Sequence, residues 1–142
     1  MILIDANLLV YAVVPNLPQH RASRDWLQST FDKEPRIGLP WASLMAFVRI
    51  VTNHRVFEAP LPTQQAWQIV EEWLDLSSVW TPEPTERHRE IVRSLIETDP
   101  GLQGNLIPDT DLAALAISHG LALCSADRDF ARFPGLRWIN PL

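Results

Sequence analysis

Met1-Ile2-Leu3-Ile4-Asp5-Ala6-Asn7-Leu8-Leu9-Val10-Tyr11-Ala12 opens the chain, and its reading decides the architecture. Met1 to Asp5 has the pattern of a short buried strand of the parallel type, ending in an acid. Asn7 to Val14 then carries helix-compatible apolar residues up to the breaker Pro15, so the chain begins strand, turn, helix. An acid placed directly after Ile2-Leu3-Ile4 serves no backbone need that Asn or Gly would not meet as well. Asp5 is therefore a candidate for chemistry.

The alternation continues outward from this opening. His20 to Phe31 reads as a helix and Arg36 to Leu39 as a short strand. Leu44, Phe47, Val48 and Val51 recur at i, i+3, i+4, i+7 as an amphipathic helix after Pro40. Ala66, Ile69, Val70, Trp73 and Leu74 mark a helix after Pro62, and Ser78 to Trp80 a brief strand. His88, Ile91, Val92, Leu95 and Ile96 lie on a helix expected to start near Thr85. Asp109 to His119 reads as a helix ended by Gly120, Leu121 to Ser125 as a buried strand, and Arg137 to Ile139 as a last strand. Strands alternating with helices predict right-handed βαβ units and a mainly parallel central sheet flanked by helices, an α/β, Rossmann-like sandwich of three layers. Such sheets bind ligands at the carboxyl ends of their strands. Asp5 and Asp127 both follow strands, although 122 residues separate them.

Composition bounds the rest. At 142 residues, 46% hydrophobic, with six Trp and five Phe, the chain is expected to form a single domain over residues 1–142. The lone Cys124 has no disulfide partner and sits in an apolar run, so a reducing, cytoplasmic setting is expected. The residues before Asp5 are too few for a signal sequence, and no stretch has the length to span a membrane. The net charge of −5 argues against a phosphate-gripping surface. Against that, all the cations except Lys33 are Arg, the residue suited to bidentate phosphate contact, and a metal bound to acids makes a negative total misleading.

The acids carry the chemical signal. Asp109-Thr110-Asp111 and Asp127-Arg128-Asp129 concentrate four carboxylates, with Asp5 as a fifth. Crowded carboxylates that stay ionised need a cation, either a metal or Arg partners, and hard oxygen ligands select Mg²⁺ or Mn²⁺. Each acid also has a plainer reading: Asp109 as a cap after Pro108, and Asp127 and Asp129 as turn residues. His20, His54, His88 and His119 show no metal-ligand spacing and read as structural or exposed. Trp67 and Trp73 fall on or beside an apolar stripe and read as core or interface.

The opening dodecapeptide resembles the start of PIN domains. The C-terminal third, from Gly104-Asn-Leu-Ile-Pro-Asp109 through Ser125-Ala-Asp127-Arg-Asp129-Phe130 to Pro141, is similar to the VapC toxins of VapBC systems. The resemblance covers nearly the whole chain. It implies Asp5, Asp109 and Asp127 as metal ligands for Mg²⁺ or Mn²⁺, Asn7 and Ser125 as polar supports, and Asp129 as an additional acid. It further implies a toxin endoribonuclease leaving 5′-phosphate and 3′-hydroxyl ends, a small VapB-like antitoxin as partner, and a homodimer. Arg49 is a candidate phosphate contact, or simply an exposed cation on an amphipathic helix. One position departs from the pattern. Many PIN domains carry a Glu three residues before such an Arg, and here Ala46 stands in its place, so one metal held firmly is expected.

Two rivals remain at this level. A Mg²⁺-dependent phosphatase or phosphotransfer domain would use Asp5 as nucleophile with an acid two residues on or a suitably placed Lys; position 7 is Asn and the only Lys is Lys33. A PIN module of weak or no activity that binds RNA or a partner protein is the other, favoured by Ala46.

Overall fold

The computed structural model describes all residues, 1–142. In chain order the elements are β1 (Ile2–Ile4), α1 (Ala6–Val13), α2 (His20–Lys33), β2 (Ile37–Gly38), α3 (Trp41–Val51), α4 (Thr63–Leu74), β3 (Val79–Trp80), α5 (His88–Thr98), α6 (Leu106–His119), β4 (Ala122–Cys124), a 3₁₀ turn (Arg128–Arg132) and β5 (Trp138–Ile139). No helix is long and apolar enough to cross a membrane.

The five strands form one sheet in the order β3-β2-β1-β4-β5, and every pairing is parallel. Because side chains alternate along a strand, each central strand feeds two cores. Ile2 and Ile4 of β1, with Ala122 and Cys124 of β4, pack with Leu9 of α1, Leu27 of α2, Phe47 of α3 and Val70 of α4. Leu3 and Leu123 face the other way, against Leu95 of α5, Leu112 to Ala116 of α6, and Phe130. The result is the expected three-layer α/β sandwich, and burial on both faces explains why β1 and β4 read as unbroken apolar runs.

Chain order and spatial order reverse at one place. From β1 the chain steps outward to β2 and β3, then α5 and α6 carry it back across the sheet to β4 on the opposite side of β1. The gap between the carboxyl ends of β1 and β4 is thus a topological switch point, where open parallel sheets leave a crevice.

Most boundaries shift by a residue or two, and two helix starts differ by three. Helix α6 starts at Leu106 rather than Asp109, because Pro108 falls at the third helical position, where its missing N–H is one of the four that no helix can pair internally. Asp109 is therefore a first-turn residue and not the cap. Helix α5 starts at His88 rather than Thr85, whose hydroxyl instead accepts from the Arg87 amide in a turn. Gly120 ends α6 in the left-handed conformation, φ 67°, as its position predicts.

Candidate active site

At the switch point, β1 ends on Asp5, which caps α1: its Oδ1 accepts from the Ala6 amide at 2.7 Å. Its Oδ2 accepts from Asn7 Nδ2 at 3.1 Å and from Ser125 Oγ at 2.8 Å. Ser125, fully buried just past β4, also accepts from Asn7 Nδ2 at 2.9 Å and from the Asp127 amide at 3.0 Å. Asn7 Oδ1 in turn accepts from the Ala126 amide at 3.3 Å. A hydroxyl offers one donor and two acceptor sites, and all three of Ser125's are used. The network ties the ends of β1 and β4 together and aims Asp5 without using all of its lone pairs.

Asp127 caps the 3₁₀ turn, its Oδ1 accepting from the Asp129 amide at 2.9 Å. The turn brings Asp129 round to Asp109 and Asp127, so that one oxygen from each of the three lies within 4.8 Å of the others. Asp5 stands beside this trio, close enough for the charges to act on each other. Burial first, and then the charges of Asp127, Asp5 and Asp129, push Asp109 up to about 6. Burial raises Asp5 as well, against the lowering effect of its bonds to Ser125 and Ala6. Asp111 does not join the group. Two positions along a helix point to different faces, and Asp111 instead accepts from His88 Nε2 at 2.7 Å.

The ion pairs of the chain link Glu34 to the N-terminus, Asp25 to Arg24, Asp99 to Arg132 and Asp111 to His88; none involves Asp5, Asp109, Asp127 or Asp129. Of the two compensating cations open to such a cluster, a metal or Arg, the fold supplies no Arg. The donor set is hard oxygen, beside a cavity that Asp5 and Asp109 line, and its chemistry fits Mg²⁺ or Mn²⁺.

That cavity, about 150 Å³, is bounded by Asp5, Asp109, Leu112 and three residues of α3: Ala42, Ser43 and Ala46. Ala46 thus lines the same cavity as Asp5 and Asp109. Ser43 was not singled out from the sequence. Its hydroxyl is buried in this wall with no partner in the chain, and the only sequence sign of it is a polar residue beside the apolar stripe of α3. Arg49 is exposed and is not part of the cavity wall. His88, read from sequence as structural or exposed, is mostly buried, at 16% side-chain exposure.

Comparison with known proteins places the chain. The family model for the PIN domain matches residues 2–136. Ribonuclease VapC33 of Mycobacterium tuberculosis is 42% identical over 142 residues, covering 100% of this chain and 99% of the relative. Ribonuclease VapC37 of the same organism is 40% identical over 141 residues, covering 99% and 97%. Among solved structures, VapBC2 from Rickettsia felis bound to a promoter DNA fragment superposes with a TM-score of 0.71 at 19% identity, covering 99% of this chain and 98% of that one. DNA-bound VapBC from Salmonella typhimurium gives 0.68 at 20% identity with both chains fully covered. With the family model spanning nearly its whole length and VapC ribonucleases at about 40% identity end to end, the chain belongs to the PIN domain family.

Proposed function

We propose that the chain is the toxin of a toxin–antitoxin pair, an endoribonuclease that hydrolyses RNA phosphodiesters at the acids between β1 and β4. The observation that carries the reading is a group of four carboxylates at a topological switch point with no Arg or Lys to neutralise them. Asp109, Asp127 and Asp129, with Asp5 at their side, would hold Mg²⁺ or Mn²⁺. When bound, such an ion lowers the pKa of coordinated water and neutralises charge building on the phosphate.

The chain's own residues do the positioning. Ser125 and Asn7 hold the Asp5 carboxylate in one orientation, so it need not reorganise when substrate arrives. The Asp127 cap holds the 3₁₀ turn in the shape that presents Asp129. Ser43 lines the same cavity, and its buried hydroxyl has no partner in the chain. Attack of water on phosphorus with cleavage to the 3′ oxygen leaves a 5′-phosphate and a 3′-hydroxyl.

The whole chain acts as one catalytic unit in the cytoplasm, as a homodimer, restrained by a small VapB-like antitoxin. The structural neighbours are described as VapBC bound to DNA. An antitoxin that covers the cavity with an Arg would supply the counter-charge that the chain lacks. Incubating the purified protein with single-stranded RNA in Mg²⁺, in Mn²⁺ and in excess EDTA tests the reading. Cleavage with either ion and none in EDTA is expected, and full cleavage in EDTA would overturn it.

A further inference from the structure

Across Ala42 from the acid cavity, a second recess of about 260 Å³ opens between the start of α3 and the segment 82–88, and Ala42 lines both. We propose that this recess is a nucleobase subsite: it takes one unpaired base adjoining the phosphate held at the acids, and it prefers bases with an exocyclic amine over uracil. Its place in the reaction rests on the ribonuclease reading above.

The wall comes first. Trp41 lines the recess and is 43% exposed. It is not loose. Its indole stacks on Trp67 of α4 with ring centroids 6.3 Å apart and planes 13° from parallel, within the range of favourable aromatic pairs. A rigid, exposed indole next to a phosphate site is a stacking platform for a base. Pro40, Pro82 and Pro84 add apolar surface without backbone N–H groups that would need partners.

The charges then select the occupant. Glu83 and Asp111 border the recess and no Arg or Lys does, so a phosphate is repelled while an N–H donor is welcomed. His88 steadies the Asp111 carboxylate through its 2.7 Å bond and leaves that carboxylate's other oxygen to accept. Adenine, cytosine and guanine carry amino donors with two protons on their edges; uracil offers a single ring N–H, set between two carbonyl acceptors that the carboxylates repel. A helix with side chains is roughly 10–12 Å across, too bulky for this recess, whereas one or two fused rings fit.

Neutral nucleosides test the subsite without any part of the cleavage chemistry. Adenosine, cytidine and uridine are titrated in EDTA into the full chain, and the indole N–H resonance of Trp41 is followed by NMR, assigned with Trp41→Phe. Saturable shifts are expected from adenosine and cytidine, with affinities about fivefold or more above that of uridine, and Asp111→Asn together with Glu83→Gln should narrow the preference. In RNA cleavage Trp41→Ala should raise KM roughly tenfold with kcat little changed, and Trp41→Phe should recover most of the loss. An unmoved Trp41 resonance, or uridine binding as well as cytidine, overturns the proposal even if Trp41→Ala does not fold. So does a Trp41→Ala variant that cleaves normally but escapes inhibition by its antitoxin, since the recess would then be a protein contact. Nucleoside binding with the expected preference in a protein that cuts no RNA would leave the subsite standing and remove the ribonuclease reading instead.

Discussion

The two halves of the acid site are built on opposite principles. Around Asp5, every polar group has a partner: Ser125, Asn7 and the amides of Ala6, Ala126 and Asp127 close a network across the ends of two strands. Around Asp109, Asp127 and Asp129, carboxylates crowd within 4.8 Å with no cation in the chain to offset them. The first half is satisfied as folded, and on the reading proposed above the second awaits a cation. A protein that must keep a metal site open to substrate gains from this division, because the rigid half holds the geometry that the strained half needs.

The strongest way to break the comparison is Asp109→Asn. Loss of activity should exceed the roughly 100-fold seen when groups one step removed from a metal are altered, while the metal-free melting temperature stays level or rises as repulsion is relieved. A large fall in melting temperature would make Asp109 structural and erase the distinction between the halves.

Ser125→Ala attacks the complete half. It strands the Asp127 N–H, removes the hydroxyl donor to Asp5 and leaves the Asn7 amide only its bond to Asp5, so stability should fall by about 1–3 kcal/mol and activity by roughly 10–100-fold. Denaturant unfolding and initial-rate measurements on the same preparations separate the two effects. If neither moves, the network is not what aims Asp5.

Protons report on the strained half. The carboxyl of Asp109 lies at about 6 in the folded chain, above the roughly 3.9 of an unfolded Asp. A group raised in this way contributes stability that is fully present below its unfolded pKa and lost as pH climbs through the folded value. Metal-free melting temperature should therefore decline from pH 4 to above 6, and Asp109→Asn should flatten that slope. Proton and metal compete for the same oxygens, so Mn²⁺ affinity measured by calorimetry should be about tenfold weaker at pH 5 than at neutral pH. Affinity independent of pH across this range would remove Asp109 from the ligand set.

Ala46→Glu gives the smallest and sharpest effect. Because Ala46 borders the acid cavity and is only partly buried, an added carboxylate should reach the site and tighten Mn²⁺ binding severalfold without a collapse in melting temperature. Unchanged affinity with a stability loss of several kcal/mol, as expected for an unpaired buried charge, would mean that the side chain turns into the core.

What the sequence by itself determined was local: apolar runs of strand length, stripes of helical period, and acids placed where strands end. These survive translation into structure because each is written in the spacing of neighbouring residues. Asp5 after β1 and Asp127 after β4 were legible in this way. So was Ala46 on α3, through resemblance to a pattern of spacing. The tertiary structure alone decided that β1 and β4 are neighbours, which joins Asp5 to Ser125 across 120 positions of chain. It also set Asp129, implied by the resemblance as an additional acid, against Asp109 and Asp127 through a 3₁₀ turn, turned Asp111 away toward His88, and left Ser43 unpartnered in the wall. Strand order follows from how two faces of one sheet are covered by six helices at once. That choice rests on burial summed over the whole chain, and no window of neighbouring residues contains it.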